Sequence, residues 1–445
     1  MLALRIMKRT NKLIISVIAL FLSCSTLASK HHIFMIHGIG DSDKAFGAAN
    51  IVLNGLLNEN SRETQFFLES FEYQTGNDDL TTVDFAKSFS VFFREYFKGR
   101  ELEEGDHFSI LAHSQGGLVT MNWLYHSYKG DSEFTDFSLI KRFMKTYISA
   151  ATPYGGTEIT TIPLLSRRLR QIMSLGKKEL EDMYFPSAMI DKMQSLLMGK
   201  EKPFLNFLHS LNILNIVGVV HRLPSLSSSA GNLQDDTTVP VSSATMNFYY
   251  LKNHKKYYPG FGDKIPAKET KFFNNAKTIA VNAAHIPVLF VPGVVKIPVE
   301  CRILSECDHP AINFYLNHFL EKPAPEVTEQ ARSFVVKLKL EVTKNSINFS
   351  GREPEFKFNF DAKSFKANKV IGKSFFLDDV KEKKNSRVYE FYYAGKLDKE
   401  NLKEHIVNIK IEGPTIFHIE RSVDFKIAPG NQTTIDLKLM SLGDY

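Results

Sequence analysis

Phe108-Ser109-Ile110-Leu111-Ala112-His113-Ser114-Gln115-Gly116-Gly117 is the stretch that decides the fold. Residues 108–111 form a short, largely apolar run of the kind that makes a strand buried on both faces. Residues 118–124, Leu-Val-Thr-Met-Asn-Trp-Leu, predict a helix directly after it. A serine between the two, with Ala112 two before it and Gly116 two after it, suits a sharp strand-to-helix turn. Such a turn lifts the hydroxyl clear of the backbone and aims the positive end of the helix at any negative charge developing there. A serine hydroxyl is a weak nucleophile until a base takes its proton. Ser114 is therefore a candidate nucleophile, and a base and an acid have to be sought elsewhere.

Working outward, further apolar runs lie at residues 33–36, 147–150, 213–220 and 278–281, separated by longer amphipathic segments. That alternation, over residues 31 to about 320, predicts an α/β domain with a mostly parallel, doubly wound sheet covered by helices. The grammar changes after Glu321-Lys322-Pro323-Ala324-Pro325-Glu326, where two prolines and flanking charges make a stiff linker. Residues 333–342, 356–360, 405–411, 423–427 and 434–439 largely alternate apolar with polar, which predicts a C-terminal antiparallel β-sandwich over 326–445.

The first 28 residues read separately. Arg5, Lys8, Arg9 and Lys12 precede an apolar run at 13–22 and a small-residue end, Thr26-Leu27-Ala28. This is the pattern of a secretory signal peptide cut after Ala28, which predicts export to the periplasm, the envelope or the medium. A retained anchor and a lipoprotein cut before Cys24 are the alternatives; Phe21-Leu22-Ser23 fit a lipobox poorly. With Cys24 removed, Cys301 and Cys307 are left as a pair with five residues between them. In an oxidising compartment they could close a small disulfide loop; two separate buried thiols are the other reading. Of 445 residues, 43% are hydrophobic and 23% charged, enough to bury a core and too few charges for a disordered chain. The net charge of +6 is compatible with an anionic surface but falls short of a nucleic-acid-binding footprint, so no nucleic acid is expected.

Several segments together resemble the α/β-hydrolase lipases and esterases, over roughly residues 31–320. They are the Ser114 turn, where Ala112 replaces the usual glycine as in some bacterial lipases, and the strand-then-His-Gly segment Phe34-Met35-Ile36-His37-Gly38-Ile39-Gly40. Thr152-Pro153-Tyr154-Gly155-Gly156-Thr157 is similar to a Thr-Pro-aromatic turn of lipases, and Asp236-Thr237-Thr238-Val239-Pro240 to a lipase acid segment in which Thr237 stands for glycine. The resemblance implies that the backbone N–H groups of Ile39 and Gln115 form an oxyanion hole, with His37 shaping its loop. It implies Asp236 as the triad acid, with Asp235 the alternative. The base, required last in chain order, is His285 just beyond the fifth apolar run, or His309 in Cys307-Asp308-His309-Pro310. The C-terminal β domain is similar in architecture to modules appended to bacterial phospholipases A.

The lipase resemblance also places a lid insertion at about 157–210. Leu165, Leu169, Ile172 and Met173 share a helical face there, with Arg167, Arg168, Arg170, Lys177 and Lys178 around it. Such a stripe could lie on an anionic lipid surface or pack as an ordinary cap helix. The expected function is hydrolysis of acyl esters of lipids by a Ser-His-Asp triad through an acyl-enzyme, without a cofactor or metal. An acyltransferase on the same site and a non-catalytic surface-binding protein are the alternatives.

Overall fold

The structure, a computed structural model, describes residues 28–40, 42, 46–157, 170, 174–184, 187–219, 236, 238–253, 264–282, 285, 310–327, 329–343, 357–360, 366–371, 386–397, 402–412 and 420–439. Nine described strands precede the linker: β1 (Ser29–Ile36), β2 (Thr64–Phe71), β3 (His107–His113), β4 (Met144–Ala150), β5 (Asn212–Gly218), β6 (Phe248–Asn253), β7 (Lys264–Ile265), β8 (Lys271–Phe273) and β9 (Lys277–Val281). Six of them form one sheet in the order β2-β1-β3-β4-β5-β9, every neighbouring pair parallel. This is the α/β sheet expected from the apolar runs, extended at one edge by β2.

Period-two geometry explains why those runs are unbroken. On β1, Phe34 and Ile36 join one core with Phe108, Ile110, Ala112 and Tyr147, while Ile33 and Met35 join the opposite core with Leu111, Ile148 and Ile216. The first core is closed by the helices Thr82–Phe97 and Gln115–Lys129, which supply Phe89, Phe93 and Trp123. The second is closed by the helices Gly47–Asn60 and Pro310–Phe319, through Leu53, Leu57, Ile312 and Phe314. With apolar layers on both faces, the middle positions of β1, β3 and β4 are closed off from water. The helix Thr82–Phe97 begins at a capping box in which Thr81 and Asp84 bond each other's backbone N–H.

The C-terminal strands are β10 (Ser333–Thr343), β11 (Lys357–Phe360), β12 (Lys366–Ile371), β13 (Ser386–Lys396), β14 (His405–Glu412), β15 (Glu420–Ile427) and β16 (Gln432–Leu439); all but β12 and β13 fall on the alternating segments of the sequence. They make two sheets, β12-β13-β10-β16-β6-β8 and β11-β14-β15-β7. Leu338, Leu340, Val407, Ile409, Phe425 and Leu437 meet in the core between them. Three strands that precede the linker, β6, β7 and β8, thus complete the sandwich. Pairing is mixed: β10–β16, β16–β6 and β15–β7 are parallel, and the other neighbours antiparallel.

An ionic cluster ties this sandwich to the α/β half. Lys337 and Lys339 alternate with core residues on β10 and so point away from the sandwich core. Lys337 Nζ lies 2.6 Å from Asp191 on the helix Ala188–Leu197 and 3.2 Å from Glu390, and Lys339 bridges the same two carboxylates at 3.1 and 2.8 Å. Burial pushes the Asp191 carboxyl up, but the two lysines outweigh it and hold the group below its ordinary value. Lys337 is 1% exposed, so removing it leaves two half-buried carboxylates short of a cation. Lys337→Ala should cost about 3 kcal/mol of stability, and adding Asp191→Ala should cost less than the sum of the two single losses. Thermal and urea unfolding midpoints of the four proteins in the cycle measure this.

Candidate active site

Ser114 stands between β3 and the helix Gln115–Lys129, with φ 54° and ψ −126°. A non-glycine residue held there costs about 1–3 kcal/mol, so neighbouring groups must fix it. Its N–H donates to the Ala150 carbonyl at the end of β4 at 2.9 Å. Gly116 lets the helix close onto the end of β1, since a Cβ there would lie 2.3 Å from the Ile36 carbonyl oxygen. Gly38 brings the loop after β1 onto the nucleophile: a Cβ on it would sit 2.8 Å from Ser114 Cβ and 3.3 Å from Oγ. Ala112, the departure from the usual glycine, is fully buried and in register with Ile36.

The expected partners converge on this serine. His285 Nε2 is 2.8 Å from Ser114 Oγ, and His285 Nδ1 is 2.7 Å from Asp236 Oδ2. One neutral tautomer satisfies both contacts, with Nδ1–H donating to the carboxylate and Nε2 accepting from the serine hydroxyl. The other carboxylate oxygen, Oδ1, accepts the N–H groups of Thr238 at 3.0 Å and Val239 at 2.7 Å. The His285 N–H donates to the Asp236 carbonyl at 2.7 Å, so acid and base loops also share a backbone bond. All three residues are buried.

Gln115 follows Ser114 and opens the helix, and Ile39 comes one residue after Gly38, whose backbone meets Ser114. The first N–H groups of a helix lack an intrahelical carbonyl and are available to an anion. His37 is fully buried and stacks on Tyr73 with ring centroids 4.2 Å apart. Its Nδ1 bonds the Gly38 carbonyl at 2.8 Å, and the Tyr73 hydroxyl donates to the His37 carbonyl at 2.7 Å. The same hydroxyl reaches Gln115 Oε1 at 3.2 Å, and Gln115 Nε2 donates to Glu179 at 3.3 Å.

Tyr73 and Glu179 carry no motif and are missing from the sequence reading. Glu179 lies on the helix Lys177–Met183 and is completely buried; burial pushes its carboxyl up to about 7, against the pull of its hydrogen bonds. Around it the cap segment clasps the loop after β2. Asp78 accepts from Arg170 at 3.2 Å and from the Lys177 N–H at 2.9 Å, and Asp182 accepts from the Thr82 N–H at 2.7 Å. The turn at 152–157, singled out by its resemblance to a lipase turn, works as a strut. Thr157 Oγ1 donates to the Thr238 carbonyl at 2.6 Å, and the Gly155 N–H to the Ser243 carbonyl at 2.9 Å, bracing the acid loop.

Asp235, His309, Cys301, Cys307, the lid residues Leu165, Arg167, Arg168, Leu169, Ile172 and Met173, and the leader 1–27 lie outside the described residues. Among the described residues, no group of three His, Cys, Asp or Glu is placed to hold a metal, and no helix is long and apolar enough to cross a membrane.

No protein-family model and no curated protein sequence matches the chain. Among solved structures it is similar to phospholipase PlaB from Legionella pneumophila, at 12% identity and a TM-score of 0.62, over 93% of this chain and 94% of that one. The complex of that phospholipase with thio-NAD gives 12% identity and a TM-score of 0.59, over 92% and 94% of the two chains. The mature lipase BlEst2 from Bacillus licheniformis gives 12% identity and a TM-score of 0.37, over 58% of this chain and 86% of that one. The first likeness spans nearly the whole of both chains and is one of fold: this chain is built as an α/β-hydrolase core joined to a β-sandwich.

Proposed function

We propose that the chain is a serine carboxylester hydrolase acting on acyl esters of lipids. The observation that carries this reading is the line of hydrogen bonds from Ser114 Oγ through His285 to Asp236, 2.8 and 2.7 Å long. In it, His285 Nε2 takes the hydroxyl proton as Ser114 Oγ attacks the ester carbonyl, and Asp236 orients the imidazolium that forms. The backbone N–H groups of Ile39 and Gln115 hold the oxyanion of the tetrahedral intermediate. The intermediate expels the alcohol, which receives its proton from His285, and leaves an acyl group on Ser114. Water, deprotonated by the same imidazole, then releases the fatty acid and restores the serine.

A lipid acyl ester as the substrate rests on two supports. One is the fold shared with a phospholipase. The other is the apolar and basic pattern of residues 165–178, which suits a lid lying on an anionic lipid surface. Export is part of the proposal, on the charged, apolar and small-residue order of the first 28 residues. N-terminal sequencing of the protein recovered from the envelope or medium should begin at Ser29; recovery with the leader intact, in the cytoplasm, would exclude it.

The enzymatic reading is tested by turnover of a soluble short-chain ester and of phospholipid vesicles. Ser114→Ala and His285→Ala should each cut kcat by on the order of a thousandfold or more with the fold intact. Asp236→Asn should cost about as much, because an amide favours the wrong imidazole tautomer. Full turnover in folded His285→Ala would move the base to another histidine. Wild-type protein that hydrolyses neither ester would exclude the reading.

A further inference from the structure

We propose that Glu179 is a positioning residue for the oxyanion-binding amides, acting through the Gln115 side chain to fix the start of the helix Gln115–Lys129 against the loop 37–40. The inference rests on the hydrolase reading of the same site. Part of what Glu179 does is ordinary helix capping. Its Oε1 accepts the Gly176 N–H at the start of its own helix, and also the Gly76 N–H at 2.8 Å. Capping occupies one oxygen. The other, Oε2, is aimed out of the cap segment at Gln115 Nε2, 64 residues away in the chain.

Gln115 is the residue whose backbone N–H is assigned to the oxyanion, and its side chain is fully buried between two anchors. Glu179 takes the amide nitrogen. Tyr73 meets the amide oxygen and, with the same hydroxyl, the His37 carbonyl. His37 in turn bonds Gly38, next to Ile39. The two proposed oxyanion donors are thereby tied to each other and to the cap by one line of buried polar contacts. A donor displaced by a fraction of an ångström loses much of its effect on a transition state, so this line sets kcat more than ground-state binding.

The donors around Glu179 suit its ionised form. Three N–H groups point at one carboxylate, and a proton on Oε2 would set a donor against the Gln115 amide donor. The amide would then have to turn over, breaking its present match with Tyr73. Other charged or titratable groups nearby are Asp182 on the same helix, Asp78 with its partner Arg170 in the adjoining clasp, and Tyr73 and His37 beyond Gln115.

Glu179→Gln keeps the volume and one carbonyl oxygen for the capping bonds but cannot accept from Gln115 Nε2. On a soluble short-chain ester, kcat should fall roughly tenfold to a hundredfold, with KM and the thermal unfolding midpoint close to wild type. Because the group is pushed up to about 7, the ratio of wild-type to Glu179→Gln rates should shrink toward one between about pH 8.5 and about pH 5.5. The ratio cancels whatever pH dependence the two proteins share. In a Gln115→Leu background, Glu179→Gln should add little further loss. Wild-type kcat in Glu179→Gln, a ratio independent of pH, or fully additive losses would each overturn the positioning role alone. A wild type no faster than Ser114→Ala would overturn the hydrolase reading and this role with it.

Discussion

A serine held at φ 54° between a buried strand and a buried helix is the constraint on which the rest of this molecule depends. Neither element can shift to relieve it, because β3 has apolar cores on both faces and the helix is packed onto the end of β1. The local cost of the turn is met by tertiary packing, not by the sequence of the turn itself. The small residues around it follow from the same crowding. Gly116 faces the Ile36 carbonyl, and Gly38 faces Ser114 itself, so both positions are set by contact distance.

The topology then delivers the other groups. In the order β1-β3-β4-β5-β9, the loops after five parallel strands open on the same edge of the sheet, where open α/β folds place their sites. The loop after β1 reaches Ser114, and the turn after β4 braces the acid loop, which precedes Val241–Ala244. The loop after β9 supplies His285. These loops share backbone and side-chain bonds with one another, so the proposed acid, base and nucleophile are held as one unit. The β-sandwich is part of that framework: it takes three strands from between the acid and base loops, and its β10 lysines engage the cap helix Ala188–Leu197.

Much of this was legible in the sequence, for a physical reason. Strands buried on both faces must be continuously apolar, so β1, β3, β4, β5 and β9 announce themselves. The Ser114 turn carries the small residues that a tight turn needs, the position of His285 follows from chain order, and Asp236 was found through the resemblance of its segment to lipases. β2 was not legible, because an edge strand half open to solvent carries Gln65, Glu69 and Ser70 and loses the apolar signature. Nor were β6, β7 and β8 assigned to the sandwich, since their partners β16 and β15 lie far downstream and no local pattern encodes such pairing. Tyr73 and Glu179 were invisible for the same reason: each matters through side-chain contacts with residues distant in sequence. The choice between His285 and His309 was open in the sequence; His309 lies outside the described residues, and among those described the geometry puts His285 2.8 Å from the serine.

The central claim is that Ser114 is a nucleophile activated by His285. It is tested most directly by treating the folded protein with a fluorophosphonate and locating the adduct by peptide mass spectrometry. The account predicts a single stoichiometric adduct on Ser114, formed by wild type and lost both in His285→Ala and after prior denaturation. A folded wild-type protein that stays unlabelled, or carries its adduct on another residue, would contradict it.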